Sequence, residues 1–130
     1  MGQQRGRALE AVNAFIADDF IQHSPHIAPG KAGLANYLQA RTGAVAASGR
    51  TSHTARVLAD GDFVLVHRRV TTTADPRGVA YADLFRVRNG KVVEHWDVIQ
   101  PIPPRSVAGR SMVHGELEPD RVAGPAVADP

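Results

Sequence analysis

No cysteine occurs in the 130 residues. Its absence excludes a disulfide scaffold, a thiolate zinc or iron–sulfur site and a cysteine nucleophile. Aromatic residues are scarce at 5%, and the 15 basic residues, which leave a formal charge of only +2, are scattered and not gathered in runs. A nucleic-acid surface calls for a basic stripe with aromatics beside it, so no nucleic-acid partner is expected. No stretch approaches the roughly 18 apolar residues of a membrane span. Arg5, Arg7 and Glu10 stand where a signal peptide would need an apolar core, and Gly6 breaks the myristoylation pattern. The expectation is no membrane association and a cytoplasmic location. What is present is ordinary globular composition, 43% apolar and 22% charged, which excludes wholesale disorder. The length fits one domain, which buries about two-thirds of the surface its unfolded form exposes.

Periodicity changes along the chain. Leu9, Val12, Phe15 and Ile16 fall at helical spacing and predict a helix over 8–16, closed by Asp18 and Asp19. Phe20–His23 reads as a short strand, and Ser24–Gly30, with Pro25 and Pro29, as a loop. A second helix should carry Leu34, Tyr37, Leu38 and Arg41 on one face, followed by a loose connection over 43–50. From Thr51 the period becomes two. Strands are expected at 51–58, 63–73, 79–88 and 91–100, the last two joined at Asn89-Gly90, a strong hairpin signal. In the second of these, Phe63, Leu65 and His67 alternate with Val64, Val66 and Arg68. Helices followed by a run of antiparallel strands define an α+β class with helices on one face of a curved sheet. The apolar residues left on the other face, such as Val64 and Val66, predict a homodimer. Residues 101–130, rich in proline and glycine, read as a tail.

Two segments carry a family resemblance. Phe20-Ile21-Gln22-His23-Ser24-Pro25-His26 with Gly30-Lys31-Ala32-Gly33, and Asp83-Leu84-Phe85-Arg86-Val87 with Asn89-Gly90-Lys91-Val92-Val93-Glu94-His95-Trp96-Asp97, resemble the SnoaL-like polyketide cyclases. Glu94-His95-Trp96-Asp97 is the specific part. The resemblance spans roughly residues 8–113, and it divides the chain into a domain of 1–113 and a tail of 114–130. It implies the nuclear-transport-factor-2-like fold, a cone of strongly curved antiparallel sheet with N-terminal helices closing a cavity. The family carries two helices before its first strand, and this chain has room for one. Ser24 stands where the family has Asn.

The resemblance also implies a chemistry: intramolecular aldol condensation of a small aromatic or polyketide-like molecule, with no cofactor and no metal. That reaction needs a base for a carbon flanked by carbonyls and donors for the resulting enolate. Asp97 matches the catalytic Asp of the cyclases, in a strand position where Asp otherwise faces solvent or pairs with a neighbouring Arg. Asp83 matches a second cavity position. If the two share a pocket, like-charge repulsion should leave one of them protonated. His95 would orient the pair or protonate the enolate oxygen, or else sit structurally between strands.

Whether the aspartates share a face depends on the hairpin register. A two-residue turn pairing Arg88 with Lys91 puts them on opposite faces, whereas a three-residue loop pairing Val87 with Lys91 puts them on the same face; the family favours the second. Candidate substrate-binding residues are Gln22, His23, Tyr37, Phe63, His67, Tyr81, Phe85 and Trp96. His23-x-x-His26 lacks a third ligand at metal-binding spacing. Two other functions compete. One is a non-catalytic ligand-binding or dimerisation domain of the same fold. The other is epoxide-hydrolase-like activation of water by Asp83 and Asp97, against which stands Tyr81 where that chemistry wants an Arg.

Overall fold

The computed structural model describes residues 2–114. Helix α1 (Gly2–Phe15) leads directly into strand β1 (Ile16–Gln22); helix α2 (Gly30–Ser48) and strands β2 (Thr51–Asp60), β3 (Phe63–Thr71), β4 (Val79–Arg88) and β5 (Lys91–Pro101) follow. The strands form one mixed, curved sheet in the order β1-β5-β4-β3-β2. From β2 to β5 every pairing is antiparallel, as expected, but β1 joins the edge parallel to β5. The whole chain between β1 and β5 serves as the crossover that a parallel pair requires.

The helix predicted over 8–16 begins earlier, at Gly2, and two further boundaries differ from the sequence reading. Asp18 and Asp19 lie within β1, where both are exposed, and do not end α1. Beyond Phe15 the chain is extended: Ala17 and Phe20 are buried on either side of exposed Asp18 and Asp19, and the register with β5 shifts between Ile16 and Ile21. Residues 43–48 extend α2 and are not a loose connection. Alanine, at positions 44, 46 and 47, is the strongest helix former, and the helix ends where Gly49 takes the left-handed conformation (φ 66°). A Cβ there would come within 2.1 Å of Thr73 Oγ1, so another residue would have to displace the Thr73 side chain as well as adopt a left-handed backbone.

The tip of the β4–β5 hairpin resolves the register. Asn89 (φ 53°) and Gly90 (φ 75°) are both left-handed, the signature of a two-residue type I′ turn, and Arg88 pairs with Lys91. That turn alone would separate the two aspartates. A bulge follows at once: Val87 pairs with Val92 but Arg86 with Glu94, so β5 gains one residue and its phase reverses. Asp83 therefore stands directly opposite Asp97, and Phe85 opposite His95. The expectation of a shared face holds, through a bulge and not through a longer loop.

The helices cover one face of the sheet, with α1 packed on α2 and α2 on β1. Residues 102–114 turn back over the opposite, outer face. There Arg56 of β2 donates to the Val113 carbonyl oxygen (2.8 Å), and Val113 is the most deeply buried side chain among the described residues at 1% exposure. Most of the tail predicted for 114–130 lies outside the described residues. No described helix is long and apolar enough to cross a membrane.

Candidate active site

Between the helices and the inner face of the sheet lies an open-mouthed cavity of about 980 Å³. Its walls are mainly apolar: Phe20 from β1, Leu34 and Leu38 from α2, Val66 from β3, Phe85 from β4 and Ile99 from β5 all line it. Asp83, His95 and Asp97 also line it. Their ligand-type atoms lie within 4.8 Å of one another.

Like charges directly opposite in a ladder destabilise a sheet, so the pair of aspartates needs compensation. Asp83, 4% exposed, receives it. Its Oδ1 meets His95 Nε2 at 3.0 Å and its Oδ2 accepts from Arg68 Nε at 2.7 Å. Arg68 comes from β3, where it faces Tyr81, next to Asp83's own partner Val66; its guanidinium lies 4.2 Å from the centre of the Tyr81 ring. Burial works against charge on Asp83, but the hydrogen bonds from His95 and Arg68 outweigh it and hold the carboxyl below its ordinary value. These two partners favour the charged form of Asp83.

His95, 8% exposed, is fixed from both ends of its ring. Its Nδ1 lies 2.7 Å from Gln22 Oε1, which also accepts the Ser24 backbone N–H at 3.0 Å. The Ser24 N–H sets the amide with its oxygen toward both, so Nδ1 donates. With Nε2 engaged by Asp83 Oδ1, neither ring nitrogen is left for the cavity. Register explains the contact, since Gln22 pairs with His95 across the parallel β1–β5 ladder. The imidazole also stacks on Phe85 at 4.9 Å. Gln22 Nε2 and Ser24 Oγ remain buried without a partner among the described residues, a cost that points to a functional position more than to an optimised core.

Asp97 differs. It is half-buried and makes no hydrogen bond or ion pair among the described residues. Its oxygens are free for something in the cavity.

Asp83, His95 and Asp97 are also the one described group with the spacing to hold a metal ion. The donor set fits a hydrogen-bonded network better. Both Asp83 oxygens and His95 Nε2 are already committed, and a dication would sit beside the Arg68 guanidinium.

Of the other candidates, Gln22, Tyr37, Tyr81 and Phe85 line the cavity, and His23, Phe63, His67 and Trp96 do not. Alternation divides them. Gln22 points inward from β1, whereas His23 stacks on Trp96 (4.8 Å, 2° between planes) and contacts Glu94 Oε2 at 2.6 Å. Trp96 lies between inward-facing His95 and Asp97, so it faces out, where Phe63 packs against it at 6.1 Å. His67, opposite Ala82, is outward as well and accepts from Arg56 through Nδ1. Burial, with the Arg56 and His114 charges, pulls His67 below its ordinary value. On β3 the two alternating sets were legible, but the inward set is Val64, Val66 and Arg68. The apolar residues on the outer face are accordingly Phe63, Leu65, Leu84, Trp96 and Val98, not Val64 and Val66.

Sequence reasoning missed Arg68, although its alternation with Val64 and Val66 carried the signal; a buried Asp on the next strand needs a cation. It also missed Arg7 and Arg50, which line the cavity. The predicted α2 face is as expected, with Leu34, Tyr37, Leu38 and Arg41 all on the cavity wall.

Asp83 gives a pH-dependent prediction. Its value is depressed in the folded chain, so its stabilising contribution is complete above the ordinary carboxyl value of 3.8 and is lost as pH falls through the lower folded value. The melting-temperature gap between wild type and Asp83→Asn should stay constant from about pH 7 to 5 and close below about pH 4. A gap unchanged down to about pH 2 would show that the Asp83 charge contributes nothing.

Comparison with known proteins agrees with this architecture. Residues 4–95 match the model of the SnoaL-like domain, and the chain belongs to that family. The fold is shared with a candidate isomerase of the SnoaL-like family from Agrobacterium tumefaciens (16% identity, TM-score 0.62, covering 74% of this chain and 83% of that one). It is shared with two candidate polyketide cyclases. One is from Sinorhizobium meliloti (16%, TM-score 0.57, 75% and 87%) and the other from Acidithiobacillus ferrooxidans (18%, TM-score 0.56, 74% and 78%). The fold is thus nuclear-transport-factor-2-like. No curated protein matches the sequence.

Proposed function

We propose that the chain is a cofactor-independent cyclase or related carbon-acid enzyme. It would remove a proton from a carbon flanked by carbonyls and direct the enolate onto a second carbonyl of the same small aromatic or polyketide-like molecule. The observation that carries this reading is the contrast between two aspartates on one face of the sheet. Asp83 is saturated by Arg68 and His95, while Asp97 stands beside them with its oxygens unengaged and facing the cavity.

In this reading Asp97 takes the C–H proton, forming the enolate as the C–H electron pair moves into the carbonyl system. The enolate carbon then forms the new C–C bond, and the attacked carbonyl becomes an alkoxide that recovers the proton. Asp83 and His95 position the base: they fix a charge-balanced wall beside it, since neither has a donor left for the substrate. The enolate oxygen needs a donor, and Tyr81 supplies one. It sits diagonally from Asp97 across the β4–β5 ladder, lines the cavity, and its hydroxyl has no partner among the described residues. The apolar remainder of the wall suits a ring-containing substrate.

The reading is tested by hydrogen–deuterium exchange at the central carbon of an aryl 1,3-diketone in D2O, followed by NMR. Wild type should accelerate exchange over buffer, and Tyr81→Phe should slow it by about a hundredfold, the loss of one oxyanion donor at the mild end of its range. No acceleration by wild type, with the diketone shown to bind, would favour a ligand-binding domain.

One observation supports water activation as a second reading. The guanidinium missing at position 81 is provided from β3 by Arg68 on Asp83. Arg68 reaches Asp83 alone and not Asp97, which favours the carbon-acid reading; hydrolysis of an aryl epoxide by wild type would reverse that order.

The outer face points to a second copy of this chain. Val98 is 72% and Phe63 42% exposed there, flanking Trp96. Burying this patch between two copies removes apolar surface from water that a monomer would leave wet. Light scattering should give twice the 13.9 kDa chain mass, and Val98→Glu should halve it. A monomeric wild type at micromolar concentration would refute the dimer.

A further inference from the structure

The cavity wall is electrically lopsided in a way that ring closure does not require. Four arginines line it, Arg7, Arg41, Arg50 and Arg68, against two carboxylates, Asp83 and Asp97. Among the described residues only Arg68 of these has a carboxylate partner. Arg41, on the inward face of α2, donates to the Tyr37 hydroxyl and lies 4.8 Å from the centre of that ring. Both interactions leave its charge uncompensated. Arg50, between the Gly49 cap of α2 and the start of β2, is half-buried and makes no hydrogen bond or ion pair among the described residues. Burial and the nearby charges of Arg41 and Arg68 all oppose its protonated form. Two cations in one partly dry wall, neither with a carboxylate partner among the described residues, cost stability that an anion would recover.

We propose that the Arg41–Arg50 end of the cavity is a carboxylate-binding subsite, and that the molecule that enters is an anionic carbonyl compound gripped there by its acid group. Each guanidinium presents a planar fork of donors that matches a carboxylate. The Tyr37 hydroxyl accepts from Arg41 and keeps its own hydrogen for the same ligand. A carboxylate fits better than a phosphate, because a dianion would also meet Asp83 and Asp97 across the cavity.

The sheet order makes the subsite directional. The free arginines sit on α2 and at the start of β2, while Asp97 lies on β5, three strands away. An acid anchored at the cationic end presents its far end to the carboxylate end. This orienting role rests on the proposed carbon-acid chemistry; the anion subsite itself does not.

Isothermal titration with 2-naphthoate and its neutral counterpart 2-naphthamide separates the two. Wild type should bind the naphthoate at least about tenfold tighter, the usual worth of one charged hydrogen bond. Arg50→Met should erase most of that preference, and Arg41→Met with Arg50→Met all of it, with thermal melting showing that the variants remain folded. Asp97→Asn should retain the preference while losing deuterium exchange. Equal affinity of wild type for the two probes, no binding of the naphthoate, or a preference surviving in the folded double variant would each overturn the subsite. A preference that depends on Arg50 in a protein that never exchanges carbon-bound hydrogen would uphold the subsite and sink the cyclase reading.

Discussion

Asp97→Asn is expected to lower turnover by about two to four powers of ten while leaving the melting temperature nearly unchanged. The two halves of that expectation have different origins. The loss of rate follows from chemistry, because the amide keeps the shape of the side chain but lacks the basic lone pair. The tolerance follows from the structure: Asp97 makes no hydrogen bond or ion pair among the described residues, so nothing described loses a partner. Removing one of two opposed aspartates even relieves repulsion across the β4–β5 ladder. Deuterium exchange on the aryl 1,3-diketone and a thermal melt measure both halves together. Exchange at the wild-type rate would remove Asp97 from the mechanism. A lost rate accompanied by a collapsed melting temperature would make Asp97 structural.

The mirror-image result is expected at Arg68. Arg68→Met leaves Asp83, whose side chain is 5% exposed, with His95 as its only described partner. Taking one member from a buried pair leaves an uncompensated charge, which costs about 3 kcal/mol. For a domain of this size that is a fall of about 10 °C in melting temperature. Adding Asp83→Leu to Arg68→Met should restore much of the loss, since a well-packed apolar pair avoids the desolvation that the ions suffer. A single Arg68→Met variant as stable as wild type would show that His95 alone compensates Asp83. These two substitutions separate the roles assigned to the neighbouring aspartates, one chemical and one supporting.

Much of this arrangement was legible because it depends on local pattern. The period of two over 51–100 specified four strands, and Asn89-Gly90 specified the tight turn between the last two, since both residues tolerate the left-handed backbone that a type I′ turn demands. The helical spacing of Leu34, Tyr37, Leu38 and Arg41 gave the cavity face of α2. Glu94-His95-Trp96-Asp97 gave the family. The bulge at Val92–Val93 was not legible. An extra residue in one strand has no sequence signature of its own, and it is stabilised by what the shifted side chains then meet.

Choice of face was likewise beyond the sequence. Alternation on β3 yields two sets of residues, and both contain apolar side chains. Only the position of α2 over the sheet decided that Val66 and Arg68 face the cavity while Phe63 and His67 face away. The same holds for β1, whose parallel pairing with β5 brings Gln22 beside His95 from 73 residues away. The sequence by itself determined the elements and the turn, because those rest on near-neighbour sterics and periodicity, and its Glu94-His95-Trp96-Asp97 motif carried the resemblance to the family. The tertiary structure alone decided which ionisable groups meet. The Arg68–Asp83–His95–Gln22 network joins three strands and β1's far edge, and its energy arises only once folding has removed these groups from water.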